Sequence, residues 1–407
     1  MFDSASILST TEFQMSLLMF VALAGYLIAY RINQSAVVGI ILAGILVGPS
    51  LLGLITYTDF VSTLAHLGAV IMLFTIGLEF SVKDIAKTRN LVIAMLGVLV
   101  PAFAGFLLGS VFGYDFKASV FIGTALTATS IAITANVLRE MGKLQTDAAK
   151  AIIGAAVIDD VLALLALSVS EGLVNGGVSV ASLLVTVGKA VVFIVVGIVI
   201  GRVVLNRLIV RLDGTKIAGK YPESLFIFAI MVAFLYALVA SAVGLSAIVG
   251  SFLAGASFAG VRLSRGMIFK EGAEHLQIIF ASIFFVSLGI IMDLHQMTMT
   301  LLWFVLALTV VAMAAKVIGC GLPAAMLGMG ARNSFVVGVG MVPRGEVAMI
   351  VALIGLGQGL IGQDVYAAVI LMALLTTIVP PLILRSWLFK YEAIVAGSGE
   401  RTPSRQP

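Results

Sequence analysis

The sequence predicts an all-α polytopic membrane protein with thirteen transmembrane helices, and three observations predict it. Apolar residues make up 61% of the 407 and charged residues only 11%, with a mean hydropathy of +1.18. No soluble domain of this size carries that balance. Thirteen apolar segments follow one another, at about 13–30, 36–55, 64–80, 91–112, 118–139, 148–171, 181–201, 224–242, 245–261, 276–292, 301–325, 333–357 and 364–384. Their lengths suit a helix crossing a bilayer. The connections between them alternate in charge, as the loops of a multi-spanning protein do.

The first segment has no basic stretch before it and no small-residue cleavage site after it, so it reads as a retained span. Twenty of the 24 Lys and Arg lie in the connections after odd-numbered segments, among them Arg31, Lys87, Arg139, Arg207, Arg265 and Arg385. Lys117 alone lies in the other connections, while Lys189, Lys316 and Arg344 fall inside segments. Basic connections stay cytoplasmic, so the N-terminus is expected outside and the C-terminus inside, in a multi-pass inner-membrane protein. At the cytoplasmic end of the third segment, Glu79 is expected to pair with Lys83 at i,i+4. Lys189, near the outer end of the seventh, can snorkel.

The second and ninth segments repeat one another. Residues 36–44 read AVVGIILAG and 247–255 read AIVGSFLAG, identical at six of nine positions. Phe74-Thr75-Ile76-Gly77 resembles Val286-Ser287-Leu288-Gly289 at nearly the same offset. The copies lie seven segments apart, an odd number, so they cross in opposite directions. Inverted repeats of this kind mark secondary transporters, with the site at the midplane where the copies meet.

The sixth segment, 148–171, is the centre of the chemistry, because Asp159 and Asp160 sit side by side near its middle. An acid at the bilayer centre costs at least ~2.5 kcal/mol, and adjacent acids oppose each other's ionisation. The pair is tolerable if it faces a wet or protein-lined cavity, which makes it a candidate ion or proton site; salt bridges kept for packing are the alternative. The fifth segment carries Thr127, Thr129, Ser130 and Thr134, and the twelfth carries Gly338, Gly340, Pro343 and Gly345. The repeat offset places these two segments on each other. Proline removes a helix hydrogen bond and glycine relaxes the backbone, so both are candidate helices broken within the membrane, where unwound backbone is tolerated only beside a cavity. The hydroxyls of the fifth segment could instead bond back to their own helix.

Lys316, in the eleventh segment, needs a carboxylate to stay charged in the membrane, and Asp159 and Asp160 are the central acids available to it. Adjacent residues on a helix point about 100° apart, so one acid can face Lys316 while the other faces a cavity. Arg344 and Glu346 flank the twelfth-segment break and are expected to close structural ion pairs. Cys320 is the only cysteine, and His66, His275 and His295 are scattered. Neither a disulfide framework nor a metal-ligand spacing is present. There is no P-loop, and no enzyme activity, cofactor or nucleic-acid partner is expected. An intramembrane aspartyl protease needs aspartates on facing helices, which adjacent residues cannot provide.

With these residues in place, the sequence resembles the bacterial monovalent cation/proton antiporters of the second cation:proton antiporter family. That family holds sodium/proton antiporters and the glutathione-gated potassium efflux antiporters. The matching stretches are GIILAGILVGPSLLG (39–53), LFTIGLEF (73–80), GTALTATSIAIT (123–134), GAAVIDDVLALL (154–165), AAKVIGCGLPA (314–324) and VPRGEVA (342–348). The resemblance implies the thirteen-helix sodium/proton antiporter fold with inverted repeats, two crossing broken helices, and a homodimer. It implies one transporter unit over 1–390, with a dimer domain at about 13–80 and 224–292. A core domain at about 91–171 and 301–384 would move elevator-fashion, joined by a linker helix at 181–201. It assigns the cation to Asp160, with Thr129 and Ser130 beside it, and pairs Asp159 with Lys316. Two aspartates plus that lysine match the electrogenic members, which exchange two protons for one sodium. The potassium efflux relatives generally replace the first aspartate and continue into a nucleotide-binding domain. Residues 391–407 have neither a third glycine nor a βαβ unit and are expected to form a disordered cytoplasmic tail.

The expected activity is exchange of a monovalent cation, Na+ first and Li+ beside it, for protons that compete for Asp160. The alternatives are a K+/H+ antiporter and a sodium-coupled organic solute symporter. An organic substrate would need a larger polar pocket than the Asp-Asp–Lys set offers. A channel would explain neither the pairing with Lys316 nor the repeat.

Overall fold

The computed structural model describes residues 10–32, 34–80, 87–174, 180–221, 223–259, 261, 266–292 and 298–385, and the regular structure among them is all helix. The chain opens with α1 (Thr11–Arg31), α2 (Ala36–Val47) and α3 (Asp59–Gly77). Next come α4 (Thr88–Val111), the half-helices α5 (Phe116–Ala125) and α6 (Ile131–Glu140), and α7 (Asp147–Val174). Then α8 (Val180–Ile200) runs through a π-helical turn, Gly201–Leu205, into α9 (Asn206–Asp213), ahead of the single turn α10 (Lys216–Lys220). The second half holds α11 (Glu223–Ala242), α12 (Ala247–Phe258) and α13 (Gly266–Ile290). It continues with α14 (Met299–Lys316), a π-helical turn at Val317–Gly321 and α15 (Leu322–Met326). The half-helices α16 (Ala331–Gly340) and α17 (Glu346–Gly357) and the closing α18 (Gln363–Ile383) complete it. Polar side chains start several helices: Thr10, Thr58 and Asp115 accept the N–H of Phe13, Val61 and Ala118.

Each expected segment falls on a helix or a pair of half-helices, but not as thirteen single spans. Nine helices among the described residues are long and apolar enough to cross a membrane. The helices α2 and α12 have 12 residues each, about 18 Å at 1.5 Å per residue, against a hydrocarbon core of about 30 Å. Expected to run to residue 55, α2 stops at Val47 because Pro49 follows Gly48. Proline lacks an N–H and drives the residue before it out of the helical region, and Gly48 is extended. The seventh segment is longer than expected, since helix continues to Asp213. Leu205 and Ile209 are buried and one turn apart, opposite a basic face with Arg202, Arg207 and Arg211, so this stretch is amphipathic helix, not loop. Lys83 and the tail 391–407 lie outside the described residues.

The helices pack in two groups. In one, α1 packs on α2, α2 on α13, α13 on α3, α3 on α12 and α12 on α11. In the other, α4 packs on α5, α7 and α14, α14 on α18, and α17 on α18 and α5. The repeat is built into the first group. A Cβ at Gly44 of α2 would overlap the Val286 carbonyl of α13, and a Cβ at Gly255 of α12 would overlap the Phe74 carbonyl of α3. Gly44 and Gly255 are repeat mates, as are Phe74 and Val286, so the same contact is made twice with the halves exchanged. Only glycine allows these backbones so close. At the centre of the second group, α7 touches α4, α5, α6, α8 and α16, which brings its two acids to the helix breaks.

Candidate ion site

The two breaks face each other. Residues 126–130 between α5 and α6, and 341–345 between α16 and α17, are not helical. Part of their freed backbone is satisfied from the opposite break. The Ser130 N–H donates to the Pro343 carbonyl at 2.8 Å. The Thr134 hydroxyl donates to the Gly340 carbonyl at 2.6 Å, and the Thr129 hydroxyl to the Met341 carbonyl at 3.3 Å. Thr129 and Thr134 therefore reach across to the other break and do not fold back onto their own helix.

Lys316, the last residue of α14, is fully buried, as is Asp159. Its ammonium donates to Asp159 Oδ1 at 2.9 Å and to the carbonyls of Gly97 at 2.7 Å and Thr127 at 2.8 Å. Three donors meet three acceptors, so the cation is fully satisfied. Asp159 Oδ2 has no hydrogen-bond partner among the described residues. Arg344 is 1% exposed. Its guanidinium donates to the carbonyls of Thr127 and Ala128, with a long contact to that of Ala312. No salt bridge to it occurs among the described residues, and the Glu346 side chain lies outside them. The carbonyl contacts have an electrostatic cause: Thr127 and Ala128 follow the C-terminus of α5, where unpaired carbonyls make a negative end that cations neutralise. The Thr377 hydroxyl, donating to the Arg344 carbonyl at 3.0 Å, fixes the backbone at that position.

Asp160 points elsewhere. It is 9% exposed, and its Oδ2 accepts the Ser246 N–H at 3.2 Å. With Thr129, Ser130, Ser246 and Gly345 it lines a cavity of about 20 Å³, the size of one water or one small cation. A Cβ at Gly345 would press on the Ser130 side chain, so glycine keeps the two breaks close here. Ser130, Gly345 and Ser246 are the N-caps of α6, α17 and α12. Three positive helix ends thus converge on one carboxylate. The available donors are oxygens, the type that binds hard cations. In the same region, Glu79 bonds Arg139 at 3.3 Å, and Arg139 also reaches Glu274 at 3.5 Å; the partner expected for Glu79, Lys83, lies outside the described residues.

The structure brings Asp159, Asp160, Thr129, Ser130, Lys316 and Arg344 into one region. Sequence reasoning missed Gly97 and Thr127, whose carbonyls hold Lys316, because backbone acceptors leave no mark in a sequence. It also missed Ser246, although its place before the second repeat copy was a usable signal.

Two helical groups, one of them built on repeat-related contacts, with paired acids at two facing helix breaks, define a membrane transporter of the secondary-active class. The family model described as sodium/hydrogen exchanger, transmembrane, matches residues 17–390, and the chain belongs to that family as a multi-pass membrane protein. It is 33% identical to the Na(+)/H(+)-K(+) antiporter GerN of Bacillus cereus over 92% of this chain and 95% of that one. It is 33% identical to the high-affinity Na(+)/H(+) antiporter NhaS3 of Synechocystis, over 81% of this chain and 72% of that one. The sodium proton antiporter MjNhaP1 of Methanocaldococcus jannaschii shares the fold, with a TM-score of 0.73 at 16% identity, covering 97% of this chain and 100% of that structure.

Proposed function

We propose that this chain exchanges Na+, with Li+ as a second cargo, for protons at Asp160. The observation that carries the reading is the division of labour between neighbouring acids. Asp159 is held by a fully bonded Lys316, while Asp160 lines an oxygen-rich cavity of cation size. Ionised, Asp160 offers a charge to the cation; protonated, it offers none, so proton and cation exclude each other. Thr129 and Ser130 supply hydroxyl oxygens from the break. The converging helix ends partly screen the carboxylate, which favours a cation that binds and leaves over one that stays.

The cycle is proposed to be electrogenic, two protons per cation, with the second proton taken by the Asp159–Lys316 pair. The group α4–α7 with α14–α18 is proposed as the moving core, α1–α3 with α11–α13 as the dimer domain of a homodimer, and α8 as the linker. The N-terminus lies outside and the C-terminus in the cytoplasm. K+ in place of Na+ is the second reading, favoured by the relation to GerN, whose name includes K+. The test is cation-induced proton flux in proteoliposomes across Li+, Na+ and K+. Flux with Na+ and Li+ supports the reading, flux with K+ alone moves it to the second, and flux with none refutes both.

A further inference from the structure

We propose that Glu140 is a further functional carboxylate of the transport cycle beside Asp159 and Asp160, a positioning residue that latches the core group to the N-terminus of α2 on the basic side. The latch must open at each turnover. The proposal rests on the antiport and domain-motion reading above.

The argument begins with two equivalent serines. Ser35 and Ser246 immediately precede α2 and α12, the repeat-related short helices. Ser246 caps its own helix, its Oγ accepting the Ile248 N–H at 3.2 Å, and gives its own N–H to Asp160. Ser35 makes no side-chain cap bond to its own helix. Its hydroxyl donates to Glu140 Oε2 at 2.7 Å, and the same oxygen accepts the Ala36 N–H at 3.3 Å. Each short helix of one group therefore presents its N-terminus to an acid of the other group. One acid is the proposed ion carrier, and its counterpart is Glu140.

Glu140 is held from its own helix too, since Oε1 accepts Asn136 Nδ2 at 3.1 Å. Asn136 Oδ1 in turn accepts Gln277 Nε2 of α13 at 3.2 Å, a second bond between the groups. Beside the contact opens a cavity of about 540 Å³ that brings solvent to it, lined by Tyr26, Gln34, Asn136, Arg139, Glu274 and Arg385 among others. The charged and titratable groups facing it are Arg139 on α6 (bonded to Glu79 and Glu274), Glu274 on α13, Arg385 after α18, and Tyr26 and Tyr30 on α1. Ionised, Glu140 accepts charge-assisted bonds and sits on the positive end of α2. Protonated, it loses the charge and one acceptor. The latch holds when the basic side is alkaline and loosens when that side is acidic.

The test uses the full chain in proteoliposomes, reading exchange rate against pH at saturating Na+ for native protein, Glu140→Gln, Ser35→Ala and both together. Glu140→Gln should raise the alkaline rate several-fold and flatten the profile. Ser35→Ala should act in the same direction, and the double variant should add nothing to Glu140→Gln. The Na+ KM should stay within twofold of native, because Asp160 is untouched. A slowed or unshifted Glu140→Gln profile overturns the proposal. A second measurement joins Ser35→Cys to Glu140→Cys with a short, reducible thiol cross-linker; Cys320 is fully buried. Exchange should stop and return on reduction, whereas native-rate exchange by the cross-linked protein overturns the latch. Absence of cation-driven proton flux in the native protein refutes the antiport reading instead.

Discussion

Replacing Lys316 with alanine tests how the second acid is held. The ammonium makes three bonds, to Asp159, Gly97 and Thr127, in a site with no solvent exposure. Hydrogen bonds to charged groups contribute about 1.5–3 kcal/mol each, but removing the lysine mainly strands Asp159, and breaking a buried ion pair from one side costs ~3–5 kcal/mol. With an unfolding entropy of roughly 2.1 cal/mol/K per residue, that loss lowers the melting temperature by roughly 4–6 °C for a chain of this length. The assay is thermal unfolding in detergent between pH 6 and 9. Asp159→Asn alone should cost less, because the ammonium keeps both carbonyls and the amide oxygen. Combining the two should recover part of the Lys316→Ala loss, since no unpaired carboxylate remains; the coupling energy should exceed ~1 kcal/mol. An unchanged melting temperature for Lys316→Ala, or strict additivity in the double variant, would refute the pairing as the reason for Lys316.

Asp160→Asn should abolish cation-dependent proton release and exchange while leaving the fold intact, because asparagine still accepts from the Ser246 N–H but cannot titrate; residual exchange above one per cent of native would remove Asp160 from the mechanism. Asp159→Asn should be milder and should shift the proton-to-cation ratio, read from the reversal potential in liposomes. Two protons per cation move one net charge per cycle, worth ~2.3 kcal/mol per 100 mV, so native exchange should respond to a valinomycin-clamped potential, and indifference to it would end the electrogenic reading. A cysteine at Thr215, between α9 and α10, should be labelled only from the cytoplasmic side; an impermeant reagent reaching it on intact cells would reverse the orientation.

Much of this protein is written into composition and spacing, because a bilayer leaves few ways to satisfy a backbone. Apolar length marks the helices, and basic loops give their expected direction. An acid pair such as Asp159 and Asp160 within a span is too costly to be incidental. The match of 36–44 to 247–255 announced the repeat, and Pro343 among glycines announced a break. Tertiary structure alone decided what each charge touches. Gly97 and Thr127 hold Lys316 through carbonyls that every residue carries, so their identity gives no signal. Arg344 donates to the carbonyls at the end of α5, since a half-helix terminus inside the membrane is itself a charge that appears only once the helix has broken. Which acid met Lys316 and which met the N-terminus of α12 followed from the rotation of α7 against its neighbours, fixed by packing that no local pattern encodes.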